Sequence, residues 1–325
     1  MNPTKGATRV LVSFVLSVAA TAAVCQDAYP VRPVRFVVPY PPGGSTDPIA
    51  RLVGANLSVN WGQQVIVENR AGGDTIIGAD IVAKAAADGH TILLAATTHV
   101  IIPLLHKNMP YDALRDFAPV ATICSSEKLL VVHPAVPANN LQEFIAHARA
   151  NPGKLNYATT GSGSANHLMN ESLNIMAGIR TQQISYKGAG PALTELIGGH
   201  VQFAFGVPIA LIQHIKSGAL RGIAISGDAR LPAVPRVPTF AESGLPKFDA
   251  KTWQGILAPA RVPRVIVDKI SRDVAKLLSA REMQEKLIGQ GVAPFISTPG
   301  QLTLLMKADT ARYAKIIEAA NIRIE

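Results

Sequence analysis

The chain has 325 residues, of which 48% are hydrophobic and 5% aromatic, and its 31 Lys and Arg against 22 Asp and Glu leave a net charge of +9. The basic residues are scattered, with no run of three and no interleaved aromatics, which argues against a nucleic-acid surface, where positive charge clusters. Two cysteines, Cys25 and Cys124, make no disulfide framework. The length exceeds one ordinary core, so two lobes are expected.

The first segment reads as a secretory signal peptide over residues 1–25. Lys5 and Arg9 precede an uncharged stretch, Val10–Val24, too short and too rich in Ala, Ser and Thr for a comfortable membrane span. Small residues at Ala20, Ala22 and Ala23 offer cleavage sites, with the cut expected between Ala22 and Gln26. Export to a periplasm follows from this reading. Cys124 is expected to be a buried apolar residue.

A first lobe, residues 26–124, opens on the valine-rich strand Val34–Tyr40. Gly43-Gly44 turn the chain, Asp47 stands as an N-cap before Pro48, and a helix runs through Leu57. Val65–Glu68 predicts a second strand, Ile77–Ala87 a helix and Thr91–Ala96 a third strand. Strand, helix, strand, helix, strand is the grammar of a parallel sheet with right-handed crossovers. The second lobe, residues 125–251, repeats it. Strands are expected at Leu129–His133, Leu155–Thr160, Gln182–Tyr186, Val201–Val207 and Leu220–Ser226. Helices begin near Asn140, Asn166, Pro191 and Pro208 and close on glycines. The proline-rich stretch from Arg230 to Pro246 reads as a connector. Trp253–Ala258 is strand-like, and two helical stretches, Pro263–Leu278 and Pro299–Ala320, are expected to return and brace the first lobe, which assigns residues 252–325 to it.

Three strand-to-helix turns carry glycines and small polar residues: Tyr40–Asp47, Thr159–His167 and Tyr186–Pro191. Such a turn aims backbone N–H groups at one point with a helix N-terminus behind it, a setting that attracts anions. Two of the turns fall in one lobe and one in the other, and ligands of open parallel sheets sit at the carboxyl ends of strands. Gly161-Ser162-Gly163-Ser164-Ala165-Asn166 begins like a dinucleotide fingerprint, but Asn166 replaces the third glycine and no acid follows at the ribose position. No Gly-x-Ser-x-Gly elbow is present, and the eight histidines show no metal-ligand spacing. No cofactor and no metal are expected. Thr97 and Thr98, after the third strand, add hydroxyls at a strand end. His167 reads equally as a polar helix-start residue and as a ligand contact.

From Arg32 to Asp47, through Val67–Gly73 and Ile77–Asp80, Tyr157–His167, Tyr186-Lys187-Gly188 with Pro191-Ala192, Val237-Pro238-Thr239 with Ala241-Glu242, and Trp253-Gln254-Gly255 with Ala258-Pro259, the chain closely resembles the substrate-binding proteins of the tripartite tricarboxylate transporter system, the Bug family. The resemblance implies an α/β, two-lobed periplasmic-binding-protein fold of the Venus flytrap, type II kind, each lobe a mainly parallel sheet flanked by helices. It implies a receptor rather than an enzyme, one that holds a small carboxylate through backbone amides, hydroxyls and waters. Carried to matching positions, it points to Tyr40, Gly43, Gly44, Ser45, Thr46 and Asp47, to Thr97 and Thr98, to Thr160, Gly161, Ser162, Gly163, Ser164, Asn166 and His167, and to Lys187, Gly188 and Ala189. The expected ligand is a di- or tricarboxylate, an acidic amino acid or an aromatic acid. The expected partner is a membrane permease, with a membrane sensor as the alternative; no nucleic acid is expected and the chain should be a monomer. A competing hypothesis is an exported hydrolase using Ser162 or Ser164 with His167, which the spacing does not support with an oriented triad.

Overall fold

The computed structural model describes residues 29–322 except Ser45 and Ser162. The expected signal peptide, with Cys25, and the candidate residues Ser45 and Ser162 lie outside the described residues. In chain order the strands are β1 (Val34–Val38), β2 (Val65–Asn69), β3 (Thr91–Ala96), β4 (Phe117–Ser126), β5 (Leu129–Val132), β6 (Asn156–Thr159), β7 (Gln182–Ser185), β8 (Phe203–Gly206), β9 (Arg221–Ile225), β10 (Thr252–Pro259) and β11 (Ala293–Pro294). The helices are α1 (Asp47–Trp61), α2 (Ile76–Ala83), α3 (Thr98–Leu105), α4 (Leu141–Ala150), α5 (Ala165–Ala177), α6 (Ala189–Ile197), α7 (Pro208–Lys216), α8 (Arg264–Ser279), α9 (Arg281–Gly289) and α10 (Pro299–Ala319).

The strands form two sheets. One has the order β11-β4-β10-β3-β1-β2 and the other β7-β6-β8-β5-β9. Both sheets are mixed, which departs from the mainly parallel sheets expected. The β1–β2, β1–β3, β6–β7 and β6–β8 pairs are parallel, as helical crossovers require. Around β10 and β5 the pairing is antiparallel. The cause is the crossing of the chain between sheets. It leaves the first sheet along β4, enters the second along β5, and comes back as β10, which wedges between β3 and β4. A strand arriving from the other lobe has no helix to turn it, so it runs against its neighbours.

Each sheet is covered on both faces, so its strands alternate between two apolar layers. On β1, Val34, Phe36 and Val38 pack with Ile49, Val53 and Leu57 of α1 and with Val267, Ile270 and Val274 of α8. Val37 faces the other way, with Leu93, Trp253, Leu302 and Met306. On β5, Leu130 and Val132 join Phe144, Tyr157 and Phe203, while Leu129 and Val131 join Leu196, Ala204 and Leu211. Cys124 is buried in the first of these layers as a free thiol. A further small cluster, Ile101, Leu105, Leu168 and Tyr313, joins α3 and α10 to α5.

Four elements go beyond the sequence expectations. The ten-residue β4, the helix α9 and the short edge strand β11 have no counterpart there, and α3 replaces what reads as a polar loop after β3. The helix after β1 starts at Asp47 with Thr46 as its N-cap residue, one position earlier than expected, and Thr46 makes no capping hydrogen bond through its side chain.

Candidate functional site

A cleft of about 700 Å³ opens between the two sheets. From the first sheet it is lined by Tyr40, Gly43, Gly44 and Thr46 after β1, by Thr97 and Thr98 after β3, and by Trp253 and Gln254 of β10. From the second come Ala165 at the start of α5 and Val207 and Ile209 at the start of α7, while Ser126 and Lys128 belong to the crossing between sheets. A second compartment of about 270 Å³ adjoins it, lined by the polar Thr159, Thr160 and Asn166 and by Ala158, Ala189, Leu196, Ala204 and Leu211. Lys128 and Val207 line both. The first turns of α1, α3, α5, α6 and α7 thus border these spaces, and the unsatisfied N–H groups of a helix start carry partial positive charge. Among the described residues, neither compartment is lined by Asp or Glu.

The first-sheet wall is braced from within. The Asp47 carboxylate accepts from the Gly43 amide at 3.1 Å, from Asn69 Nδ2 at 3.0 Å and from Arg51 Nε at 3.1 Å. The Arg51, Asn69 and Gly43 bonds hold the carboxyl below the usual range against a burial that pushes it up. Asp47 is therefore placed on its own loop, fixing the glycine turn, and does not line the cleft. Thr97 Oγ1 accepts from the Trp253 amide at 2.9 Å, tying β3 to β10. The Tyr40 hydroxyl and Thr98 Oγ1 are hydrogen-bonded to each other, and burial raises the Tyr40 phenol to about 12, so it stays neutral. The amide of Gly44 has no acceptor among the described residues. Gln254 Oε1 is buried without a hydrogen-bond partner and belongs to a residue that lines the cleft. A buried acceptor of this kind awaits a donor from water or ligand.

On the second-sheet wall the Gly161–His167 turn closes on itself. Ser164 Oγ donates to the Gly161 carbonyl at 2.7 Å and accepts from the His167 amide at 3.3 Å as the N-cap of α5. His167 Nδ1 accepts from the Gly163 amide at 3.0 Å, and burial lowers the imidazole. His167 and Gly163 thus shape the turn, and His167 borders neither compartment. Thr160, Asn166 and Ala189 line the second compartment. Lys187 is exposed and outside both, and Gly188, with φ 109°, is the N-cap of α6. His99 turns into the core, with Nε2 3.2 Å from the Ala113 carbonyl and its imidazole lowered by burial to about 4. The hydrolase hypothesis finds no oriented base, since Nδ1 of His167 is engaged with the turn.

Sequence reasoning missed Lys128. It is 9% exposed, and burial pushes its ammonium down to about 8, with Glu127 opposing. The available signal was the pair Glu127-Lys128 set between Ser125-Ser126 and the apolar run Leu129–Val132.

A family model described as the tripartite tricarboxylate transporter family receptor matches residues 49–322. The chain is 35% identical over 317 residues to protein BugT of Bordetella pertussis, covering 96% of each chain. An R. palustris protein solved with adipate superposes with a TM-score of 0.77 at 33% identity, over 91% of this chain and 99% of that one. MatC from Rhodopseudomonas palustris, solved with bound malate, gives a TM-score of 0.74 at 31% identity, over 89% and 100%. The fold is therefore the two-lobed α/β periplasmic-binding-protein fold, and a set of anion-attracting turns with no oriented catalytic group fits a receptor that binds without chemistry. The chain belongs to the tripartite tricarboxylate transporter receptors, the Bug family of solute-binding proteins.

Proposed function

We propose that this protein is exported to the periplasm, captures a small carboxylate in the cleft between its sheets, and delivers it to a tripartite tricarboxylate-type permease. One observation carries the reading most: helix starts from both sheets border one cleft that no acidic side chain lines among the described residues. A carboxylate there meets backbone N–H groups, Thr46, Thr97 and Thr98, and bridging waters. Charge-assisted hydrogen bonds contribute about 1.5–3 kcal/mol each, so a handful outweighs the ordering cost of closure. The relatives solved with adipate and malate are similar proteins with diacids bound. On this reading residues 26–124 plus 252–325 form one lobe, 125–251 the other, and a monomer suffices.

The test is a thermal-shift screen of the leaderless protein, freed of co-purified ligand, against adipate, malate, glutarate, benzoate and acidic amino acids. A binding acid at about 100 times its Kd stabilises by about 2.7 kcal/mol, a clear rise in Tm. Unchanged melting with every acid overturns the reading.

A further inference from the structure

Lys128 is the single charged side chain lining either compartment among the described residues, and it lines both. Its ammonium has no hydrogen-bond acceptor and no ion-pair partner among them. The neighbouring Glu127 is turned elsewhere: its carboxylate accepts from Ser226 Oγ at 2.9 Å and faces Lys251 Nζ at 3.7 Å. The backbone of Lys128 is fixed at the crossing between sheets, donating to Ser226 Oγ at 2.8 Å and accepting from the Ser226 amide at 2.9 Å. A largely buried ammonium with no direct partner is disfavoured by desolvation, which Glu127 offsets only in part, and an anion brought beside it removes that cost. Much of the second compartment's lining is apolar and continuous with the core layer of Leu196, Ala204 and Leu211. An ammonium group on a ligand would meet Lys128 and no acid, the arrangement that costs most in a poorly solvated site.

We propose that Lys128 is the counter-ion of the ligand, holding an anionic group at the junction of the compartments while the second compartment takes the ligand's hydrocarbon body, so that the protein selects amino-free carboxylates over amino acids. The proposal rests on the carboxylate reading of the cleft and narrows it to a ligand class. Glutarate and glutamate differ by the amino group alone and separate the two.

The experiment is titration calorimetry of glutarate, adipate, benzoate, malate and glutamate against the ligand-free wild type, Lys128→Met and Ala192→Leu. The wild type is expected to bind at least one amino-free acid and to bind glutamate at least about tenfold more weakly than glutarate. Lys128→Met keeps the length of the stem, and its ligand-free form should melt no lower than the wild type. It should bind the preferred acid about 10- to 100-fold more weakly, the loss of one charge-assisted contact. Ala192 lines the second compartment, so Ala192→Leu fills part of it and should weaken adipate or benzoate more than the shorter malate; it reads the proposal even if Lys128→Met does not fold. Lys128→Met binding within twofold of wild type, glutamate binding as tightly as glutarate, or Ala192→Leu without effect on the longer acids overturns the proposal while leaving the carboxylate reading intact. Silence from every acid with the wild type overturns both.

Discussion

The two walls of the cleft are built by one rule, a strand running into a turn and a helix start, yet they differ in what stands behind the turn. Behind the Tyr40–Thr46 turn is rigid material. A Cβ added to Gly78 would lie 2.7 Å from the Arg70 carbonyl oxygen and 2.8–2.9 Å from Pro39 Cβ and Cα, so α2 presses directly on the residue before Tyr40. Behind the second-sheet wall is compliant material. A Cβ on Gly206 would meet the end of Leu211, with Cδ1 at 2.7 Å, and Leu211 lines the apolar compartment. On the proposed function, the first wall serves as a preformed anion seat and the second as an adaptable apolar surface that sets which hydrocarbon fits.

The largest expected effect tests the rigid wall. Gly78→Ala has backbone to displace, so it should cost about 1–3 kcal/mol in urea unfolding and weaken every acid together, because the Tyr40–Thr46 turn shifts. If it melts like wild type, that turn is not held by α2. Next comes the junction. The Lys128 ammonium sits at about 8 in the folded chain against an ordinary 10.5. The unfolded chain therefore holds more protons between those values, and stability rises with pH across that window. Below about pH 8 the charged form costs stability in full, so Lys128→Met should be the more stable protein there, and the gap should close as pH climbs toward 10.5. A gap independent of pH, measured by denaturant midpoints, would show that the ammonium is solvated in the folded state. Gly206→Ala should cost less, under about 1 kcal/mol, because Leu211 can change rotamer. Its signature is altered selectivity between long and short acids with the malate response unchanged. The smallest effect belongs to Lys187→Gln: an exposed side chain outside both compartments should leave stability within about 0.5 kcal/mol and affinity within twofold. A tenfold loss would bring the Lys187 side chain itself into the site.

Much of the architecture was legible because it is written in local periodicity. The valine-rich β1, the Asp47-Pro48 helix start and the glycines that close α5, α6 and α7 need no knowledge of the rest of the chain, whereas α4 ends on Asn151. β4 was not legible. Phe117–Ser126 carries Pro119, polar Thr122 and two serines, and its strand character comes from pairing with β10 more than 120 positions later. A register shift beside Leu257–Pro119 accommodates the proline. The turns that line the cleft were visible as glycine and hydroxyl clusters. The division of labour within them was not. Asp47 and His167 look like ligand groups in one dimension and are braces in three, since each meets an amide of its own loop. Lys128 shows the opposite failure. A lysine beside a glutamate reads as surface, and its burial follows from lying where the chain passes between sheets.

That location has a kinetic side. The Glu127-Lys128 crossing is held by Ser226 after β9 and tied to the returning strand by Lys251, whose Nζ lies 3.7 Å from Glu127, and by Thr252, whose Oγ1 lies 3.5 Å from the Ser126 carbonyl. If the lobes swing about these two strands, a group on the axis scarcely moves while the walls travel. A ligand moored to Lys128 would keep its tether through most of the opening stroke. Departure would then occur in two stages, first from the Gly44 and Thr98 side and last from the axis, so that the residence time is governed by one contact rather than by the whole cleft.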